Sequence, residues 1–387
     1  MAGDTTTSLL RDRSQGSRVT NAELFFDLVY AFAVTQLSHQ LLDRPTATGA
    51  LQAAVLLAMV WFAWAYTAWV TNWLDPDRIP IRLLLLGLGI VSLVMSAALP
   101  DAFGSRGLAV GAAYAGMQVG RTIFAVWALR GQPLQRNFQR ILTWCLVSGA
   151  LAVAGGVVHG SQRDILWLAA VVVDLLGGWA GFYTPGLGRS ATSEWDIEGS
   201  HIAERCQAFV LIALGECVVL TGTTLSREPH VTSSGIAALA VAFCAVAALW
   251  WLYFDRSAEA ASQVVSKSAD PGRLGRTAYH VIHPAIVGGI IAAAAGNEEL
   301  LAHPAIATPA PAAWMILGGT GLFVAGHAAF KRAIWGVIPW SRIYGVMALA
   351  LLSLVAPHVD TIAVGVLAAA VVIAIAVSDR MAVAPTA

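Results

Sequence analysis

Apolar residues run along this chain in blocks of about 20, the length that crosses a bilayer as a helix, and polar residues collect in the short gaps between blocks. The blocks lie near 22–42, 49–73, 80–99, 107–129, 138–159, 164–184, 202–224, 233–254, 275–295, 312–330, 338–356 and 360–378. Helix breakers mark the gaps: Asp43-Arg44-Pro45, Asp75-Pro76-Asp77, Pro100-Asp101, Gly131-Gln132-Pro133 and Pro185-Gly186. The Pro- and Ala-rich 296–311 segment is the least sharply drawn gap. The pattern predicts an all-α polytopic membrane protein of about twelve transmembrane helices.

Arginine and lysine set the orientation, because they accumulate in cytoplasmic loops. With the N-terminus placed inside, 18 of the 23 basic residues fall on its side and 4 on the other, Arg121 lying within a span. Both termini are therefore expected in the cytoplasm. Glu23 and Asp27 interrupt the first apolar block as a signal-peptide core would not tolerate, so that block is expected to stay in the mature protein.

Composition agrees with the bilayer as solvent. Of 387 residues, 57% are hydrophobic and 12% charged, against roughly 25% charged in soluble domains. Net charge is zero, which gives no reason to expect nucleic acid as a partner. Only Lys267 and Lys331 are lysines; with so much alanine this points to a GC-rich bacterial genome, hence a bacterial cytoplasmic (inner) membrane. Cys145, Cys206, Cys217 and Cys244 are isolated within apolar stretches and read as small core residues. No phosphate-binding loop or nucleotide fold is visible, and no cofactor is expected.

The halves echo one another. Ala22-Glu23 opens the first span and Ala203-Glu204 the seventh; Asp75 follows Trp73 as Asp255 follows Tyr253. Arg140-Ile141 and Arg342-Ile343 open the fifth and eleventh spans, and Asp164 and Asp360 precede the sixth and twelfth. This suggests two parallel six-helix repeats, 21–190 and 191–380, between cytoplasmic tails 1–20 and 381–387.

Ionisable groups inside spans are costly and mark function by default. Glu23 and Asp27 are four apart and share a helix face, which Tyr30 continues. Two carboxylates so placed can hold a proton between them; equally, they can cap the helix or pair with arginine. His201 and Glu204 share a face at the start of the seventh span, and Glu216 lies mid-span, where it is expected to face the bundle interior. Arg121 follows Gly116-Met-Gln-Val-Gly120, whose glycines would allow close helix approach, and needs a carboxylate such as Asp27 or Glu204. Asp174 and His327 are isolated intramembrane groups. His280 and His283 share a face; with His201 and Glu204 they evoke a metal site, although the spacing matches no metal signature. From the orientation, Glu23, Asp27, His201, Glu204, His280 and His283 lie within about 12 Å of the cytoplasmic face, with Arg121 and His327 reaching the same layer. A polar chamber follows if these faces converge.

At these residues the chain resembles the bacterial low temperature requirement protein A family. The matching stretches are Glu23-Leu-Phe-Phe-Asp27-Leu-Val-Tyr30, Tyr66-Thr-Ala-Trp-Val-Thr-Asn72-Trp-Leu-Asp75-Pro-Asp77-Arg78, and His201-Ile-Ala-Glu204-Arg205 followed by Leu214-Gly-Glu216. The resemblance implies a multi-pass membrane protein linked to growth at low temperature. It also draws Asn72, Asp75, Asp77 and Arg78 together as a structural or gating motif. Phe25-Phe26-Asp27-Leu-Val-Tyr30 is similar, more locally, to the Phe-Ser-Asp helix of potassium channels built from six-helix repeats, with Phe26 at the serine position.

Three functions fit this pattern. A proton-coupled transporter or ion channel for a small ion or solute would use the paired carboxylates, arginine and histidines. An intramembrane enzyme acting on a lipid or other apolar substrate would use His201, Glu204, His280 and His283 as acid and base. A sensor or scaffold would use the polar groups only to hold helices. The first is expected, and an oligomer is compatible with it.

Overall fold

The computed structural model describes residues 9–12, 18–195, 197–227 and 232–381, so most of the expected N-terminal tail and residues 382–387 lie outside the described residues. Those described form twelve long helices, a short one, three single 3-10 turns (Leu99–Asp101, Thr192–Glu194 and Ala356–His358) and no strand. The helices are α1 (Asn21–Asp43), α2 (Ala47–Trp73), α3 (Ile79–Ala98), α4 (Gly107–Ala128), α5 (Leu134–Val157), α6 (Ser161–Trp179), α7 (Gly199–Arg227) and α8 (Ser233–Phe254). There follow the short α9 (Ala258–Ser266), α10 (Pro271–Ala302), α11 (Ala310–Trp335), α12 (Trp340–Val355) and α13 (Thr361–Met381). Each predicted block contains one long helix. The short α9 lies in a gap where none was expected, and α10 runs to Ala302, into the Pro- and Ala-rich segment.

Among the described residues nine helices are long and apolar enough to cross a membrane. The three long helices that fall short, α1, α4 and α6, are those carrying Glu23 and Asp27, Arg121, and Arg163 with Asp174. Outward faces are apolar: α12 exposes Tyr344, Met347, Leu351 and Leu354 at helical spacing while burying Arg342, Gly345 and Leu349. Apolar outside and charged inside is the inverse of a soluble helix and is what lipid requires.

Two local features follow from sequence. Helix α6 stops at Trp179 because Gly181 and Phe182 adopt left-handed backbone conformations, φ +62° and +51°, with the Phe182 amide bonding back to the Gly177 carbonyl at 2.8 Å. Helix α10 widens to a π-helical stretch over Arg276–Ile282, just before Pro284, which has no N–H to give the preceding turn and would crowd a regular helix. A second π-helical stretch, Trp314–Gly318, lies in α11.

The chain divides into two compact units. The first comprises Met1–Tyr30, Ala58–Arg205 and Ser266–Arg276; the second comprises Ala31–Leu57, Cys206–Val265 and Thr277–Ala387. These are groupings by proximity, distinct from an internal sequence repeat, and α1, α2 and α7 each contribute to both.

In the first unit α4 and α5 approach closely through Gly107 and Gly111 on one side and Gly149 and Gly156 on the other. A Cβ on Gly111 would collide with the Ala152 carbonyl, and one on Gly156 with the Gly107 carbonyl. Gly116 and Gly120, expected to permit this approach, instead face open space. The inward face of α4 runs through Gly107, Gly111, Tyr114, Gln118 and Arg121, and Gly116 and Gly120 fall off it. Arg163, in the first turn of α6, is buried and donates to the carbonyls of Ala102, Gly104, Gly155 and Val158 at 2.7–3.0 Å, tying three helix ends together.

In the second unit α10 and α11 use the same device. Gly289 and Gly296 oppose Gly319 and Gly326, each against backbone atoms of the facing helix. Beside them Leu300, Ile316, Leu317, Leu349, Val364 and Ala368 join one apolar core.

Gly319→Ala is expected to lower stability by about 1–3 kcal/mol, because its Cβ would meet the backbone of Ala292 and Ala293. Gly116→Ala should be within about 0.5 kcal/mol of neutral. Unfolding of the purified protein in mixed micelles, followed by tryptophan fluorescence, compares the two.

Candidate functional site

The first unit buries a closed network of charges between the start of α1 and the start of α7. Thr20 and Glu23 form a reciprocal cap on α1: the Thr20 amide and hydroxyl donate to Glu23 Oε2 at 2.9 and 3.0 Å, and the Glu23 amide returns a 3.4 Å bond to Thr20 Oγ1. The cap aims the Glu23 carboxylate inward. Residues 9–11 run antiparallel to the end of α2, with the Arg11 amide on the Trp73 carbonyl and the Asp75 amide on the Leu9 carbonyl. That pairing places Arg11 Nη2 3.0 Å from both Glu23 oxygens.

Helix α7 completes the network. His201 Nε2 lies 2.8 Å from Glu23 Oε1. Arg205 is wholly buried and donates from Nη1 to Glu23 Oε1 at 3.0 Å, and from Nε and Nη2 to the two Asp27 oxygens at 2.7 and 2.5 Å. The second contact is a bidentate fork, the strong form of this pair. Helix α2 closes the shell: the Trp64 indole donates to Asp27 Oδ1 at 2.6 Å, and the Thr71 hydroxyl accepts from Arg205 at 3.0 Å. Asn72 bonds both the amide and the carbonyl of Glu198, which fixes its Nδ2 towards His201 Nδ1 at 3.2 Å. A donor facing Nδ1 makes that nitrogen the acceptor and puts the His201 proton on Nε2, towards Glu23. Two carboxylates, two guanidiniums and a neutral imidazole leave no net charge.

A second polar group lies on α4 and α6 of the same unit. Arg121 donates to the Ala63 carbonyl, Thr67 Oγ1 and Gln118 Oε1 at 3.2, 3.4 and 2.7 Å and lies over the Tyr66 ring. Its expected carboxylate contact with Asp27 or Glu204 is not made; Arg205 occupies Asp27, and Glu204 is exposed. Asp174 is buried and accepts from the Tyr114 hydroxyl and, at 3.3 Å, from Gln118 Nε2. Tyr30 is buried against Phe26 and within electrostatic reach of Asp27, Arg121 and Arg205. Beyond α2, Asp75 pairs with Arg78 at 3.3 Å and Asp77 with Arg82 at 3.1 Å. An open depression of about 610 Å³ is lined by Thr20, Phe25, Asp77 and Arg82 among others.

The remaining candidates belong to the second unit. Glu216 is half-buried and accepts from Thr35 Oγ1 at 2.5 Å, so it does not sit fully inside as its mid-span position suggested. His283 bonds the Ala278 carbonyl through Nδ1 at 2.8 Å and the Tyr253 hydroxyl through Nε2 at 2.8 Å; the carbonyl can only accept, so the proton is on Nδ1. His280 lies in the π-helical stretch of α10. His327 is buried and stacks on Phe323 and Phe330. Among the described residues no group of three or more His, Cys, Asp or Glu stands where it could hold a metal ion.

Arg205, Arg11, Trp64 and Thr71 were not singled out by sequence. A signal for Arg205 existed: the four-residue spacing of Glu23 and Asp27 recurs in His201 and Arg205, whereas Glu204 is one residue off that face.

Long apolar helices with apolar outward faces, and charges within the bundle that are buried and hydrogen-bonded, define a polytopic helical membrane protein. The chain belongs to the bacterial low temperature requirement A protein family, whose model matches residues 18–377. An uncharacterized protein of Rhizobium meliloti (strain 1021) is 34% identical over 385 residues, which cover 99% of this chain and 94% of that protein. No solved structure matches the chain.

Arg205→Met is expected to cost about 3–5 kcal/mol, since it strands two buried carboxylates. Arg205→Lys should recover only part of the loss, because an ammonium cannot reproduce the fork. Denaturant unfolding in micelles measures both.

Proposed function

We propose that the chain is a proton-coupled transporter of a small ion or solute, with the Glu23–Asp27–Arg205–His201 network as its coupling element. The observation that carries this reading is a charge-balanced network, buried apart from the edge of Arg11, at a helix contact of a kind that this chain makes elsewhere without charge. The contacts α4–α5 and α10–α11 are made through glycines against backbone and uncharged side chains, with no ion pair. A buried ion pair is weak evidence for stability against an apolar alternative; its use is that it responds to a proton. Protonating Glu23 or Asp27 leaves Arg205 in excess charge and loosens α1 from α7.

The reading includes twelve spans, both termini cytoplasmic, and two six-helix repeats over 21–190 and 191–380. In-register contacts support the repeat. Glu23 meets His201 and Asp27 meets Arg205 at an offset of 178 residues, and Thr35 meets Glu216 at 181. Nearly constant offsets mean that α1 and α7 run parallel, as equivalent helices beside a pseudo-two-fold axis along the membrane normal would. The depression lined by Thr20, whose amide and hydroxyl hold Glu23, supports access from the side of Asp77 and Arg82, the cytoplasmic side in this orientation.

The enzyme reading is weaker, because both ring nitrogens of His201 and of His283 are engaged by protein groups and neither imidazole is left to act on a substrate. The scaffold reading is the outcome if charge is dispensable.

Purified protein in liposomes loaded with a pH-sensitive dye tests the proposal, with a potassium diffusion potential driving proton movement. Wild type should acidify the lumen faster than empty liposomes, and Asp27→Asn should slow this about tenfold or more. Flux unchanged by both Asp27→Asn and Glu216→Gln would overturn the reading in favour of a scaffold.

A further inference from the structure

Asp174 stands apart from the other buried carboxylates in the company it keeps. Glu23 and Asp27 each touch a guanidinium; Asp174, equally buried in α6, touches none. The donors around it are neutral: the Tyr114 hydroxyl and the Gln118 amide bond Oδ2, and the Ser148 hydroxyl of α5 stands close by. Oδ1 has no hydrogen-bond partner at bonding geometry. Other groups near it are Tyr66, whose hydroxyl bonds the Asp174 carbonyl at 3.3 Å, and Cys145 and Ser148 of α5. The nearest cation is Arg121, and Gln118 stands between: its Oε1 accepts from Arg121 at 2.7 Å and its Nε2 donates to Asp174 at 3.3 Å.

A buried carboxylate oxygen without a hydrogen bond at bonding geometry carries a desolvation cost, and the groups around Asp174, the Ser148 hydroxyl included, are neutral donors that leave its charge unbalanced. A proton on that oxygen removes the charge and leaves the Oδ2 bonds in place, since a protonated carboxyl keeps acceptor capacity on the other oxygen. We infer that Asp174 is a proton-binding site in its own right, a carboxyl that takes a proton on Oδ1 while Tyr114 and Gln118 hold Oδ2. The proton comes from solvent, no bond between heavy atoms changes, and the cluster passes from neutral to a single positive charge on Arg121. The inference stands independently of the transport reading, because it concerns occupancy by a proton and not flux.

The test is infrared difference spectroscopy of the full chain in lipid bilayers, between alkaline and acid buffer, in water and deuterium oxide. Wild type should gain carboxylic-acid carbonyl absorption that shifts on deuteration. One component of it, the Asp174 band, should be missing from Asp174→Asn and present in Asp27→Asn, so that a Glu23 or Asp27 band is told apart from it. Tyr114→Phe and Gln118→Leu, which keep the carboxyl, should retain the band at an altered frequency, and they decide the matter if Asp174→Asn fails to fold. No such band in wild type, its survival in Asp174→Asn, or an unaltered frequency in both of the other variants would overturn the inference.

Discussion

The guanidinium of Arg205, forked onto Asp27 and reaching Glu23 with its remaining amino group, is the contact on which the charged interior depends. In a hydrocarbon surrounding, each carboxylate must find a cation or a proton, and Arg205 serves two at once. Its position explains why neighbouring residues are what they are. Thr20 turns Glu23 inward, Arg11 balances the second negative charge, and Asn72 orders His201 so that its proton faces Glu23. Trp64 and Thr71 fill the remaining bonding capacity from α2. Each link is short because α1 and α7 run in register, so that two residue pairs four apart meet across the contact.

The same chain shows how it joins helices where no charge is involved. Gly107, Gly111, Gly149 and Gly156 bring α4 to α5, and Gly289, Gly296, Gly319 and Gly326 bring α10 to α11, backbone against backbone. Arg163 shows a third solution, a buried guanidinium satisfied by backbone carbonyls at helix ends, with no carboxylate among its hydrogen-bond partners. Against these, ion pairing at the head of α1 is a choice beyond adhesion, which is why it carries the functional reading. Asp174 and Arg121, separated by one glutamine, form a looser charge pair with different partners.

Much of the architecture was readable from the chain, because lipid imposes a single strong rule on length and polarity. The twelve blocks, their breakers and the family resemblance at Glu23–Tyr30, Tyr66–Arg78 and His201–Glu216 all lie in local sequence. The shared face of Glu23 and Asp27 was readable from their spacing. Their partner was not: Arg205 sits so near the start of its span that it counts equally well as a loop arginine, and only tertiary packing sends it inward while Glu204 turns out. Arg11 was hidden because its position depends on an antiparallel contact with the end of α2. Gly116 and Gly120 look like a packing motif, yet the inward face of α4 is set by Gly107 and Gly111, aligned with Gln118 and Arg121. The π-helical stretches left one trace, Pro284, while nothing comparable announces the second at Trp314–Gly318.

The most direct test of the account is a double-mutant cycle on Asp27→Asn and Arg205→Gln, read as the free energy of unfolding of the purified protein in micelles. The fork between these two side chains predicts strong coupling, about 1.5 kcal/mol or more, with the double variant more stable than the two single losses would sum to. Additive losses would mean that Asp27 and Arg205 do not share a bond, and the network built on them would fall with it.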